Sequence, residues 1–422
     1  MSTKENKPTN SLIEKLNKSY LILGAVFLVA FITRVFIAGA VMGHLTDMGC
    51  FSYWGEQAYN DGLLEFYNGS YYCDYPPLYI YILWFIEFAR EALGLTFAFP
   101  AHIILLKMPA IIFDIMTAYL VYKIAKTRFS ETTSIILSAA VALNIAYILN
   151  SAAWGQIDSI LTFFIALTAY NIMNNKLEFA TVAYVIAVLL KPQAFIFAPI
   201  LIFAYIKSKN TKKVLISLLI GLALFVVVIL PFAIRQEPLW IFSLYFGTMG
   251  QYAYATVNAY NIYALLGLNW VSDSEVMFLF AYKIYGYVAI LGICALTTIA
   301  FIKGNKMPGF TFATAGLLMT VVFAFATKMH ERYLFPSILL VLAAYIFSND
   351  KRFLYIHILQ SITVFANCAY ILYMNFNGGY DLFSPYVAIV SAVTIFTTLW
   401  YLRVYFQLYI LNQDNIPLKY LT

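Results

Sequence analysis

The stretch Pro76–Leu93, PPLYIYILWFIEFAREAL, decides how this chain is threaded. It is apolar enough to pass for a membrane crossing, and counting it as one reverses the side on which every later loop falls. The cations arbitrate. If it does not cross, Lys123, Lys126, Arg128, Lys176, Lys207, Lys209, Lys212, Lys213, Lys303, Lys306, Lys351 and Arg352 all fall on the side of the N-terminal arm with Lys4, Lys7, Lys15 and Lys18. With Arg403 and Lys419, that side holds 18 of the 26 Lys and Arg, as expected of a cytoplasmic face. The stretch is therefore laid along the outer surface as an interfacial helix, opened by Pro76-Pro77 and carrying Glu87, Arg90 and Glu91 near its end.

Composition agrees with a membrane protein. Hydrophobic residues make up 63% and charged residues 11% of the 422, with a mean hydropathy of +0.80. Soluble domains hold about 45 to 50% apolar and about 25% charged residues, so a water-soluble fold is excluded. The net charge of +6 follows from the short inter-helix loops and does not point to nucleic acid.

Working outward, apolar runs occupy 20–42, 105–125, 132–150, 157–173, 177–190, 192–207, 213–234, 277–302, 308–327, 333–348, 353–373 and 385–409. They predict an all-α, polytopic transmembrane helical bundle of about 12 spans (range about 10 to 13), with interfacial helices in the outer first loop. Both termini are then cytoplasmic. Several runs fall short of the usual span length, which suits helices bordering a protein-lined cavity. The first run lacks a small-residue cleavage site and reads as a span rather than a signal peptide. The longest non-spanning stretches are 43–104 and 235–276, both placed outside. Cys50 and Cys73 share the first of these, as two small side chains or as a pair across an oxidising face.

The 43–104 loop interleaves acids with aromatics. It holds Asp47, Trp54, Glu56, Asp61, Glu65, Asp74 and Tyr75-Pro76-Pro77-Leu78-Tyr79. Aromatic faces stack on sugars or anchor at headgroups, and carboxylates accept hydroxyl protons, so the loop reads as a lid over a polar site or as a belt. Asp47, just beyond the first span, is either a helix cap or a base.

At another outer junction stands Lys328-Met329-His330-Glu331-Arg332-Tyr333-Leu334-Phe335-Pro336. A continued helix here places Lys328 and Arg332 on one side, with Glu331 orienting Lys328. Such a fork suits a phosphate, with His330 as a further donor. Lys191, before Pro192-Gln193, is a lone cation at an outer turn whose counter-charge is Asp158 or a phosphate. Asn150–Ser159, NSAAWGQIDS, offers Trp154, Gln156 and Asp158 as a polar wall for a sugar or as an amide-rich connector. Asp114 and Arg34 are buried charges expected to play a structural role, paired with each other or with another span. The sequence contains no Walker loop, GxGxxG, GxSxG, HExxH or Cys/His metal spacing, and neither cofactor nor metal is expected.

Taken in order, Asp47, YPPLY, KMPAIIFD, NSAAWGQIDS, LLKPQA and KMHERYLFP resemble the GT-C superfamily of membrane glycosyltransferases, particularly the bacterial relatives of GPI-anchor mannosyltransferases. KMHERYLFP is similar to the His-Glu-Lys motif of the dolichyl-phosphate-glucose glucosyltransferases, with Arg332 where that motif has Lys. The resemblance covers roughly residues 20–340. It implies a GT-C-like transmembrane catalytic core (20–348) with an extracytoplasmic loop (43–104); the lysines before it read as a cytoplasmic arm (1–19), and the apolar runs after it as C-terminal helices with a short cytoplasmic tail (349–422). It further implies a multi-pass plasma-membrane enzyme working on the extracytoplasmic face.

By the same resemblance, the reaction transfers mannose or glucose, with inversion, from a polyprenyl-phosphate-sugar donor to a lipid-linked glycan or protein acceptor. Asp47 would be the general base, and Lys191, His330 and Arg332 would face the donor phosphate. Trp54, Tyr75, Trp154, Gln156, Asp158, Gln193, Glu331 and Tyr333 would contact substrate. A transporter or flippase of polyprenyl-linked glycan, or a glycan polymerase or ligase, remains the alternative.

Overall fold

The structure, a computed structural model, describes residues 8–68, 72–304, 307–379 and 382–413, with side chains from residue 18 onward. Lys4, Lys7, Lys306 and Lys419 of the charge pattern lie outside the described residues. The chain opens with α1 (Pro8–Ala40), then α2 (Leu45–Asn60) and α3 (Pro77–Ala92), α4 (Ala101–Ala125), α5 (Glu131–Ala142) and the short α6 (Ile145–Ile148). A wide π-type turn, Leu149–Trp154, leads to α7 (Asp158–Met173) and α8 (Leu177–Leu190). A tight 3₁₀ turn, Pro192–Phe197, opens into α9 (Ala198–Lys207), followed by α10 (Thr211–Ala233). The stretch 235–276 holds α11 (Trp240–Gly250) and α12 (Ile262–Leu265), and a hairpin of β1 (Val276–Met277) with β2 (Phe280–Ala281) takes up the start of the 277–302 run. The last helices are α13 (Tyr282–Gly304), α14 (Phe310–Phe325), α15 (Phe335–Ser348), α16 (Lys351–Asn377) and α17 (Pro385–Tyr409).

Among the described residues, seven helices are long and apolar enough to cross a membrane, and five shorter apolar helices accompany them. These twelve coincide with the twelve apolar runs, so the chain is a polytopic helical membrane protein. Burial separates the helices that face lipid from those that do not. α10 is apolar all round and buries only Ser217, Gly221 and Phe232, as a lipid-facing helix does. α14 is buried along nearly its whole length and forms the centre of a core shared with α7, α15, α16 and α17.

Local signals set the helix starts. Ser130 caps α5 through Thr133 N, and Asn210 caps α10 through Lys213 N. α3 begins at Pro77, whose missing N–H costs nothing in a first turn. It packs against α2, α4, α8 and α10. The 132–150 run is broken at Leu143-Asn144, where Asn144 caps α6. The first loop is also more helical than its aromatic pattern suggested, because Met48, Phe51, Trp54, Gly55 and Ala58 recur at helical spacing and form the buried face of α2.

Arg34 and Asp114 do pair, as a fully buried ion pair with Nε–Oδ2 at 2.8 Å. Ser151 and Ser159 donate to the same carboxylate at 2.6 and 2.5 Å, while Arg34 also donates to Ala142 O at 2.6 Å. The pair fastens α1 and α4 to the turn that carries NSAAWGQIDS. All four cysteines are unbridged thiols, Cys50 and Cys73 included.

Candidate active site

Asp47 sits in the first turn of α2, where a negative charge meets the positive end of the helix dipole. It is not the cap; His44 holds that position without a side-chain cap bond. The chain reaches α2 through Gly43, at φ +100°, where a Cβ would stand 2.6 Å from Trp154 O. That closeness lets His44 N donate to Trp154 O at 3.1 Å. The His44 ring then stacks on Trp154 with centroids 4.8 Å apart. Asp47 Oδ2 accepts from Trp154 Nε1 at 2.7 Å and from Gln156 Nε2 at 2.6 Å. Burial raises the carboxyl's pKa, but the Arg332 charge, then His44 and the two donors, outweigh it and hold the group below its ordinary value.

The cations are held from behind. Lys191 Nζ donates to Asp158 Oδ1 at 2.6 Å and to Gln156 Oε1 at 3.0 Å. Asp158 also accepts from Asn150 Nδ2 at 3.0 Å, and its Oδ2 lies 3.9 Å from Arg332 Nε. Arg332 donates to Glu331 at 2.5 Å and spreads over the Trp154 ring, its guanidinium carbon 5.7 Å from the centroid. Burial, reinforced by Arg332, pushes the His330 pKa down to about 3, so the ring is neutral at pH 7. Tyr252 meets it edge to face at 4.6 Å.

Residues 326–334 do not continue α14, which overturns the expected fork. Ala326 ends the helix in extended backbone, and Lys328 takes φ +66°. The segment pairs instead with the 235–276 stretch, Val257 N donating to Met329 O and Lys328 N to Tyr254 O, both at 2.9 Å. Lys328 pairs with Asp273 at 3.7 Å, and Glu331 orients Arg332 rather than Lys328. Both cations nonetheless reach one cavity.

That cavity has a volume of about 420 Å³, within the range of small-molecule sites. Asp47, Lys191, His330 and Arg332 all line it, as do Trp54, Tyr75, Gln193 and Tyr333. Trp154, Gln156, Asp158 and Glu331 do not line it; they are 0 to 3% exposed and stand behind the lining residues. Tyr75 OH donates to Gln156 Oε1 at 3.0 Å. The lining also includes the apolar side chains Phe195, Ile196, Ile290 and Val322. Arg332 Nε and Gln193 Nε2 are buried donors without a hydrogen-bond partner.

Sequence reasoning missed two contributors. Asp74 lines the same cavity, and burial raises its pKa while the Tyr72 hydroxyl, bonded to it, opposes that shift. Its only sequence signal was its place before Tyr75-Pro76-Pro77. Lys107, fully buried in α4, donates to the carbonyls of Val41, Ala152 and Ala153 at 2.7, 2.9 and 3.2 Å. It joins the end of α1 to the turn before Trp154, and thereby the two segments that meet at Asp47. Its signal was a lysine inside an apolar run. Among the described residues, no group of three or more His, Cys, Asp or Glu side chains is placed to hold a metal ion.

No protein-family model and no curated protein sequence matches the chain. Among solved structures, the crystal structure of ArnT from Cupriavidus metallidurans bound to undecaprenyl phosphate is similar at a TM-score of 0.43 and 11% identity, over 91% of this chain and 76% of that one. So shallow a likeness carries no activity across; the functional reading rests on the residues around the cavity.

Proposed function

We propose that this chain is a membrane glycosyltransferase of the GT-C kind, transferring a hexose, mannose or glucose, from a polyprenyl-phosphate donor to an acceptor on the extracytoplasmic face. The observation that carries the reading is the placement of Asp47 and of Lys191, His330 and Arg332 on the lining of one cavity that also has apolar walls. Acyclic isoprenoid suits those walls. A phosphodiester oxygen suits the unpartnered donors of Arg332 and Gln193, since buried donors otherwise find acceptors.

In this reading Asp47, kept ionised, takes the proton of the acceptor hydroxyl as its oxygen attacks the anomeric carbon. The bond from that carbon to the phosphate oxygen breaks, and the electron pair leaves with the carrier phosphate. Attack opposite to departure inverts the centre. The transition state carries oxocarbenium character, and Lys191, Arg332 and the neutral N–H of His330 stabilise charge gathering on the leaving phosphate. Trp54, Tyr75 and Tyr333 offer ring faces for the sugar. Trp154, Gln156, Asp158 and Glu331 act as positioning residues, fixing the carboxylate and the cations before substrate arrives.

The test is transfer of labelled sugar from polyprenyl-phosphate-mannose or -glucose in proteoliposomes. Asp47→Asn keeps an acceptor oxygen for Trp154 and Gln156, so the fold should survive while the rate drops by about 10²- to 10⁴-fold. Undiminished transfer by that variant refutes the base. Transmembrane movement of intact donor without transfer refutes the reaction.

A further inference from the structure

A second and larger cavity, about 710 Å³, opens at the other end of the bundle. Three of the short apolar helices run from one cavity to the other, α8 from Leu190 beside Lys191 to Leu177, α9 with its leading turn from Pro192 to Lys207, and α14 from Phe325 to Phe310, while α7 runs alongside from Asp158, behind the first lining, to Met173. Helices of 14 to 16 residues span only about 21 to 24 Å, against about 30 Å of hydrocarbon. The mouths of both cavities therefore sit near or below the level of the lipid headgroups.

The lining of this second cavity has one sign of charge. Among the described residues, Arg128, Lys207, Lys209 and Lys213 line it and no Asp or Glu does. Lys213 is partly compensated from outside the lining, 3.6 Å from Glu178 and donating to Asn175 O, and Lys207 also has an interaction of its own. The deeper walls are apolar, with Ile200, Phe203, Phe301 and Phe310. A loop that merely follows the positive-inside rule needs cations; it does not need a walled hollow of this size with greasy sides.

We propose that this cavity is a binding site for an anionic, phosphate-bearing membrane lipid, its headgroup among Arg128, Lys207 and Lys209 and its chain along Phe203 and Phe301. Charge complementarity selects the phosphate, and the apolar walls select a lipid over a soluble anion. The site lies apart from Asp47 and does not depend on the glycosyl-transfer reading.

The experiment uses the full chain, exchanged into neutral detergent after incorporation in phosphatidylcholine nanodiscs containing phosphatidylglycerol, with retained lipid quantified by mass spectrometry. Phosphatidylglycerol should be retained over phosphatidylcholine. The triple variant Arg128→Gln/Lys207→Gln/Lys209→Gln should lower that retention by at least about tenfold. Ala204→Trp, which fills the hollow and leaves every charge in place, should lower it comparably, whereas Lys123→Gln/Lys351→Gln, outside the lining, should not. Equal losses in the two charge variants, or full retention in Ala204→Trp, would reduce the effect to diffuse surface charge and overturn the site. Displacement of the lipid by millimolar inorganic phosphate would overturn the choice of lipid over ion.

Discussion

Gln156 grips Asp47 from Nε2 at 2.6 Å while its Oε1 accepts from Lys191 at 3.0 Å, so one amide bridges the carboxylate and the ammonium. The two neighbours fix which end is oxygen and which is nitrogen.

Replacing that amide by a carboxylate puts like charge beside Asp47. In Gln156→Glu the Asp47 pKa should rise, because a neighbouring anion disfavours ionisation. Transfer then falls as pH drops through the raised value, whereas the unaltered protein shows no limb from Asp47 between about pH 5 and pH 7. Initial rates against pH check this, with a loss of at least about tenfold at pH 6 in the variant.

Lys191 predicts the opposite limb. Burial pushes its pKa below the ordinary lysine value, with Asp158 opposing and Arg332 reinforcing the shift. Its charge is therefore lost earlier as pH rises, and transfer should decline on the alkaline side below the ordinary lysine range. Lys191→Arg keeps its charge throughout and should move that limb upward. Lys191→Met should remove the limb along with about 10²- to 10³-fold of the rate.

Gly43→Ala probes the seam between the first two helices. The added methyl meets a backbone oxygen, Trp154 O, as well as the Met48 side chain, and the residue already holds φ +100°. The contact from His44 N to Trp154 O should open and carry Asp47 away from its donors. Transfer should fall by about 10²-fold, the scale of a misplacement of about 1 Å. Donor binding should change less, because the cations come from other segments.

Breaking the Arg34–Asp114 pair from one side leaves a buried charge uncompensated. Arg34→Met should destabilise the protein by about 3 to 5 kcal/mol, while Arg34→Met/Asp114→Leu should be less damaging than either single change. Denaturation in detergent micelles, followed by tryptophan fluorescence, reads both.

Much of this architecture was legible because a bilayer writes in long apolar runs. The helical spans and the structural role of Arg34 and Asp114 followed from that grammar. The holders of Asp47 did not, since Trp154 and Gln156 lie 107 and 109 residues away and only folding brings them there. Lys328 and Arg332 misled because helical spacing was carried across Ala326, where the chain leaves α14 to pair with residues 254–257. Helix α2 was partly hidden because its aromatic residues suited a sugar platform as well as a buried face.

The pairing of Val257 with Met329 and of Tyr254 with Lys328 has a mechanical outcome. Since these are main-chain ties, His330 and Arg332 ride on the same rigid splint as the largely buried segment 254–257 beside them. A displacement of residues 254–257 would shift two of the proposed leaving-group contacts together, without any rotamer having to turn.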